Sequence, residues 1–213
     1  MTKMLLTILL ALPVLLAAAS DGYAGKLEAF SDKEVHAAAD SLAREFKMPD
    51  IKRVEVLERL REILAHDGFK RARGNGAVRG IVAYTIGEGG LVVKFLSGRG
   101  LVAFKGRKDR PRLSFKSTSV GAQIGGSKEW GVGLIMDLSD ASHLGGTYTG
   151  SVKGAIAATT GKMVSRLERS KPPSPEMGHE LWLIGTAEGL SANFGTTRLT
   201  IAVRDGMQAP PAR

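Results

Sequence analysis

Apolar residues recur every three or four positions in two stretches near the start of the chain, and this spacing predicts two amphipathic helices. Ser31 and Glu34 form a capping box that starts the first helix, and Met48-Pro49 ends it. The first apolar stripe is Val35, Ala38, Ala39, Leu42, Ala43 and Phe46, and the second is Ile51, Val54, Leu57, Leu60, Ile63 and Leu64. The second helix is expected to stop at Asp67-Gly68. Residues 25–69 are therefore predicted to form a helical hairpin.

From Val78 onward the chain consists of short runs rich in Val, Ile, Thr and aromatic residues, separated by glycines. The runs are residues 78–86, 91–96, 101–105, 113–124, 132–138, 147–158, 181–186, 190–194 and 198–203. Residues 139–144 are predicted to form a short helix, and the proline-rich residues 166–178 an exposed loop, since proline removes ladder donors. The prediction is an α+β fold, in which residues 70–205 form an antiparallel β-barrel or sandwich of about eight to nine strands.

The first residues of the chain have the three regions of a secretory signal peptide. Lys3 supplies the positive charge, residues 4–16 form an apolar run, and Ala17 to Ala19 supply small residues. The apolar run is shorter than the roughly 20 residues that span a bilayer. Residues 1–24 are predicted to be a signal peptide that is cleaved after Ala19 or Ala24. The mature protein is therefore expected to be periplasmic or secreted and peripheral to a membrane. The proline-containing residues 206–213 are expected to be a disordered tail.

The positive charge of the chain is concentrated in one segment. The formal net charge is +9, and residues 70–116 hold twelve basic and two acidic side chains. A one-sided basic segment favours an anionic partner such as lipid headgroups, nucleic acid or an acidic polymer, although a basic face can also serve solubility alone. The chain has no cysteine, which excludes disulfide-linked partners and thiolate metal sites.

Catalytic and nucleotide-binding motifs fail on inspection. Residues 158–163 resemble the end of a phosphate loop, but the first glycine is missing and Met163 stands where a hydroxyl is needed. The four histidines, His36, His66, His143 and His179, include no pair at helical ligand spacing. Asp137 ends a very apolar strand, where capping a turn is the usual role and a functional acid the alternative. No metal or cofactor site is expected.

Five segments together resemble the SYLF domain, also called the yeast-type actin-binding domain family. They are residues 79–84, 87–100, 120–126, 133–137 and 184–194, in that order along the chain, and between the last two a short polar link and a glycine-rich strand through Gly154 also match. The resemblance covers roughly residues 77–204, and the predicted hairpin takes the place of the family's N-terminal helices. It implies a module that binds phosphoinositides or other acidic phospholipids. The actin binding of some eukaryotic members is not expected of an exported protein, and the family has no established catalytic residues to carry over.

The basic segment and the resemblance together favour an exported lipid-binding module without enzyme activity. We expect it to recognise acidic phospholipid headgroups at a membrane surface, with no nucleic-acid partner, and an envelope protein partner is left open. The candidate headgroup-binding residues are Lys70, Arg71, Arg73, Arg79, Lys105, Arg107, Lys108, Arg110, Arg112 and Lys116. Two alternatives are a cell-envelope structural or interaction protein without lipid dependence, and a small-molecule hydrolase. Hydrolysis would need two converging titratable groups, and the chain offers no local pair.

Overall fold

The computed structural model describes residues 26–89, 93–120, 127–151, 162–188 and 196–204. The predicted signal peptide, residues 1–24, and the predicted tail, residues 206–213, lie outside these ranges. The described residues form helices at the N-terminal side followed by an antiparallel closed barrel. This confirms the predicted α+β class and the order of its two parts.

Three helices precede the barrel, one more than the sequence predicted. They are α1 (Asp32–Glu45), α2 (Asp50–Ala65) and α3 (Asp67–Arg73). The predicted capping box is present, because Ser31 and Glu34 each accept the other residue's backbone N–H. The second helix ends at Ala65, within two residues of the predicted stop at Asp67-Gly68, but the sequence did not predict that a third helix begins directly after it. The His66 side chain accepts the Gly68 N–H at 3.0 Å and so caps a new helix at that point.

Eight strands close the barrel, each antiparallel to both of its neighbours. They are β1 (Val78–Gly89), β2 (Val93–Phe104), β3 (Arg112–Val120), β4 (Ser127–Met136), β5 (Gly146–Ser151), β6 (Lys162–Arg169), β7 (Glu180–Glu188) and β8 (Thr196–Arg204). Their order around the barrel is β1-β2-β3-β8-β5-β6-β7-β4, and β4 pairs with β1 to complete the circle. The predicted short helix is confirmed as a 3-10 helix, Ala141–Leu144, capped by Asp140.

Two strand predictions were wrong in detail. Two separate strands were expected where β2 is continuous, because Gly98 and Gly100 lie inside the strand at points of close approach. A Cβ at Gly100 would lie 3.0 Å from the Phe115 ring and 3.1 Å from the Ala83 carbonyl oxygen. The sequence predicted no strand between residues 158 and 181, yet β6 lies there, so the predicted loop at residues 166–178 begins only after Arg169.

Strand alternation divides the apolar residues into two cores. The lumen core fills the barrel with inward side chains, and the helix core lies between the helices and the outer wall of β1, β4 and β7. We call the barrel end at Val78, Phe104 and Met136 the lower end, and the end at Gly89 and Phe95 the upper end. The α1 helix starts at the lower end, where the Phe30 N–H donates to the Val78 carbonyl, and α2 returns antiparallel to it.

Candidate anion-binding face

The outer wall of the barrel has two sides that carry different side chains. On β1, β4 and β7 the helices cover apolar outward residues such as Ile81, Val132 and Trp182, each no more than 2% exposed. On β2, β3 and β8 five outward positions carry exposed basic side chains. We call these five the basic face: Arg99 on β2, Arg112 and Lys116 on β3, and Arg198 and Arg204 on β8.

The alternation of side chains along the strands places these cations outward. Residues next to them in the sequence point into the lumen core, where they are almost fully buried: Leu113, Phe115, Leu199 and Ile201. Successive side chains of a strand lie on opposite faces, so Arg112, Lys116 and Arg198 point away from the barrel axis.

The register brings the cations close together. Arg112 pairs with Arg204 across β3 and β8, while Arg99 pairs with Ser114, the outward residue between Arg112 and Lys116. Directly opposite residues typically have Cβ atoms about 4.5–5.5 Å apart, and diagonal neighbours lie about 7–8 Å apart. The basic face is therefore one continuous cluster, built from residues up to 105 positions apart in the sequence.

Acidic side chains do not balance this cluster. Arg198 extends the cluster, because Arg198 is the outward residue before Thr200, and Thr200 pairs with Lys116. The described outward positions of β2, β3 and β8 include no Asp or Glu. Within the described residues, the four cations on β3 and β8 form no ion pair, and the Arg99 guanidinium lies 5.9 Å from the centre of the Phe46 ring. The basic face thus presents its charge to whatever surface approaches it.

Six of the ten candidate headgroup-binding residues have partners within the protein. These contacts are Lys70 with Asp67 at 3.9 Å, Arg73 with Asp32 at 2.9 Å, Arg79 with the Leu27 carbonyl oxygen at 2.7 Å, Lys105 with Glu34 at 2.8 Å, Arg107 with Asp109 at 2.9 Å and Arg110 with Glu45 at 3.4 Å. Several of them fasten the helices and the N-terminal segment to the barrel. The other four are exposed: Arg71, Lys108, Arg112 and Lys116.

The contact between Lys105 and Glu34 shows what such a pair does. The Lys105 ammonium donates to the Glu34 carboxylate and, with help from Ser31, lowers the pKa of Glu34 to about 2. Charged hydrogen bonds to a carboxylate favour its ionised form. Lys105 therefore joins the first turn of α1 to the end of β2, and the Glu34 carboxylate largely neutralises its charge within the protein.

Sequence reasoning missed three members of the basic face: Arg99, Arg198 and Arg204. Arg99 lay within the basic segment but was not selected, and the other two lie far along the chain. The available signal was the alternation of Arg198, Thr200 and Arg204 with apolar residues on β8. That pattern shows which side is outward, but only the pairing of β8 with β3 places these cations beside Arg112.

Polar groups inside the barrel form two separate pairs. The Tyr84 hydroxyl donates to Glu129 Oε1 at 2.5 Å, and burial raises the pKa of this phenol well above its ordinary value. The Tyr148 hydroxyl donates to the Leu144 carbonyl at 2.6 Å and lies 2.5 Å from His179 Nε2. Burial lowers the pKa of His179 to about 4. His179 Nδ1 also lies 3.1 Å from the Met177 carbonyl oxygen, so both ring nitrogens of this histidine have partners within the protein.

The other functional candidates from the sequence either have a structural role or lie outside the described residues. Asp137 is exposed, has a positive φ of 56° and accepts the Ala77 N–H at 2.8 Å, so its role is structural, but it caps the start of β1 and not, as the sequence predicted, the turn that follows it. Among the described residues, no three His, Asp or Glu side chains could hold a metal ion together. Most of the phosphate-loop-like segment, residues 158–161, lies outside the described ranges.

No family model, curated protein or solved structure matches the chain. The resemblance to the SYLF family therefore rests on the sequence segments alone. Among the described residues, no helix is long and apolar enough to cross a bilayer.

Proposed function

We propose that the protein is an exported module that binds acidic phospholipid headgroups through the basic face. The observation that carries this proposal is the cluster of five exposed cations on β2, β3 and β8 without an acidic side chain among them. In a structure where many other cations are ion-paired, an unbalanced cluster on an open sheet points to an anionic partner.

The energetics of such a surface suit reversible membrane binding. Each Lys or Arg near an anionic membrane surface contributes on the order of 1 kcal/mol, so several cations acting together are needed for useful affinity. The β3 and β8 cations keep rotational freedom because nothing in the described residues holds their charged ends. They can therefore adapt to headgroups without breaking contacts that the fold requires.

The predicted signal peptide and the family resemblance support the same proposal from the sequence. An exported protein meets the outer leaflet of the inner membrane and other envelope surfaces, where acidic phospholipids are available. The resemblance implies the same ligand class, and no catalytic role accompanies it.

The test is co-sedimentation of the mature chain with vesicles of phosphatidylglycerol and phosphatidylcholine, compared with vesicles of phosphatidylcholine alone. The variant carries Arg112→Glu, Lys116→Glu and Arg198→Glu. The matched control carries Lys70→Glu, Arg71→Glu and Lys108→Glu, which changes the net charge by the same amount on exposed residues that are not members of the basic face.

We expect the wild type and the matched control to bind the acidic vesicles and the basic-face variant to lose binding. Both variants should remain folded, because exposed charges contribute little to stability. Loss of binding in the control alone would move the site to the helix and loop cations. A wild type that binds no acidic vesicle at low salt would refute lipid binding, and an envelope protein partner would then be the next hypothesis.

A further inference from the structure

Phe95 is an aromatic residue that the fold leaves in water. It lies on the outward side of β2 near the upper end, and 58% of its surface is exposed. Among the described residues only Ile51 and Val54 are comparably exposed large apolar side chains. Those two lie on α2 among side chains of both charges, Asp50, Lys52, Arg53 and Glu55, whereas Phe95 lies on a sheet beside the basic face.

The described outward neighbours of Phe95 on β1, β2 and β3 include no acidic residue. The register pairs Phe95 with Gly89 on β1 and with Thr118 on β3. Ser97 is the next outward residue on β2 and pairs with Lys116, so Lys116 is a diagonal neighbour of Phe95. Phe95 therefore stands at the upper edge of the basic face, with a glycine on one side and a cation on the other.

This arrangement distinguishes a bilayer from a soluble polyanion. Cations alone attract any anionic polymer, but an exposed aromatic ring gains free energy only if the partner also offers an apolar region. Aromatic rings concentrate at the boundary between headgroups and acyl chains, where basic side chains meet the phosphates. A lipid surface is the partner that provides both layers at once.

We infer that Phe95 is an apolar anchor that enters the headgroup–acyl boundary of an anionic bilayer beside Lys116. This inference rests on the proposed function and names its partner as a lipid surface, not a free polyanion. It also fixes how the protein approaches. The basic face lies toward the headgroups, and the Phe95 end of β2 enters the membrane surface more deeply than the Phe104 end, which is nine residues, or about 30 Å along the strand, away.

The absence of cysteine from the chain allows a direct test. Phe95→Cys carries a single environment-sensitive fluorophore, and Lys108→Cys carries the same label in the connection between β2 and β3 at the lower end. Both are mixed with vesicles of phosphatidylglycerol and phosphatidylcholine, with and without lipids that carry a quencher on the acyl chain. Single-stranded DNA serves as the soluble polyanion.

We expect the label at position 95 to shift to the blue and brighten several-fold on vesicles, and to be quenched from the acyl chains. The label at position 108 should keep its aqueous spectrum. Binding to vesicles with a water-exposed label at position 95 would overturn the anchor and leave the proposed function standing. A complete lack of vesicle binding would overturn both, and a larger response to DNA than to vesicles would assign the ring to base stacking.

Unlabelled variants give a second readout that does not depend on the probe. Phe95→Ala should weaken vesicle binding roughly tenfold or more, which corresponds to the loss of a buried aromatic side chain, and Phe95→Trp should restore it. The ring is exposed, so both variants should fold. At 1 M salt the Debye length is about 3 Å, so residual binding should depend on position 95 rather than on charge. Equal affinity of Phe95→Ala and the wild type would contradict the anchor.

Discussion

The covered and uncovered sides of the barrel wall are built from the same kind of strand, yet their outward residues differ completely. Inward residues of both sides fill one lumen core, as Leu183 and Phe115 do. The central outward residues of β4 and β7, such as Val132 and Ile184, are apolar and packed by helices, whereas the described outward residues of β3 and β8 are mostly basic, small or hydroxylic. The outward residues of each strand therefore match the surface that they contact. On one side this surface is the helices, and on the other it is, as we propose, an anionic membrane.

Aromatic contacts show how firmly the covered side is held. The rings of Phe69 and Trp182 meet edge to face with centroids 5.0 Å apart, and those of Phe46 and Trp130 meet at 6.2 Å. Such pairs add to the burial of their large apolar surfaces. They join α3 and the end of α1 to β7 and β4. The helices therefore belong to the same packed unit as the barrel.

The largest effect is expected on the covered side. Trp182→Ala should lower the free energy of unfolding by about 3–5 kcal/mol, because it removes a buried aromatic side chain between α3 and β7. Thr200→Ala, at an exposed outward position of β8, should change it by less than about 0.5 kcal/mol. Urea unfolding of both variants measures the difference. Similar losses for the two variants would mean that the two sides do not differ in their contribution to stability.

The free energy of unfolding should also fall when Gly185 in the lumen is replaced, because this glycine leaves space for the pair formed by Tyr84 and Glu129. A Cβ at Gly185 would overlap Glu129 Oε1 and approach the Tyr84 hydroxyl, so Gly185→Ala should cost about 1–3 kcal/mol. At Gly87 the nearest atom to an added Cβ is the Ser97 carbonyl oxygen at 3.9 Å. Gly87→Ala is thus the matched control, and thermal unfolding should show little change. A tolerated Gly185→Ala would mean that the Tyr84–Glu129 pair adapts without cost.

We expect the loss of stability between pH 6.5 and 4 to come from His179 in the barrel interior and not from the basic face. Burial lowers the pKa of His179 to about 4 from an ordinary value near 6.5, so the folded state resists a proton that the unfolded state accepts. The stability that this histidine contributes is present above about pH 6.5 and is lost progressively as the pH falls toward 4, by roughly 2–3 kcal/mol. Unfolding measured across that range in His179→Gln should show a flatter profile than the wild type. An identical slope would assign the dependence to other groups.

Much of the fold could be predicted from the sequence because its signals are local. The capping box at Ser31, the proline at Pro49 and the glycine-separated strands each act within a few residues. The misses were local: glycines inside β2 were taken for turns, and no third helix was predicted after the second one ends, where His66 acts as its cap. In both places tertiary contacts or an unusual cap overrode the common meaning of the residues.

The candidate site was less predictable, because it depends on register. Basic residues of one segment, such as Lys105 and Arg110, were expected to act together, yet acidic residues of α1 meet them in the fold. Arg204 was not expected at all, since no local signal shows that β8 lies next to β3. Charge along the sequence indicated the kind of partner to test, and only the pairing of strands shows which cations have no acidic neighbour.

The smallest expected effect tests whether the basic face is maintained at the expense of stability. Arg112 and Arg204 face each other directly across β3 and β8, and like charges in such positions destabilise a sheet. Arg204→Glu replaces the repulsion with a cross-strand ion pair, so it should raise the free energy of unfolding by roughly 0.2–1 kcal/mol while weakening binding to acidic vesicles. Thr200→Glu, opposite Lys116, is the matched control because it adds an ion pair without removing a like-charged one. Arg204→Glu should therefore stabilise more than Thr200→Glu at low salt, and the difference should shrink as salt screens exposed charges. If Arg204→Glu lowers stability, the two arginines do not repel each other measurably. The barrel then gives up no stability to keep its basic face, and this reason to expect an anionic partner is removed.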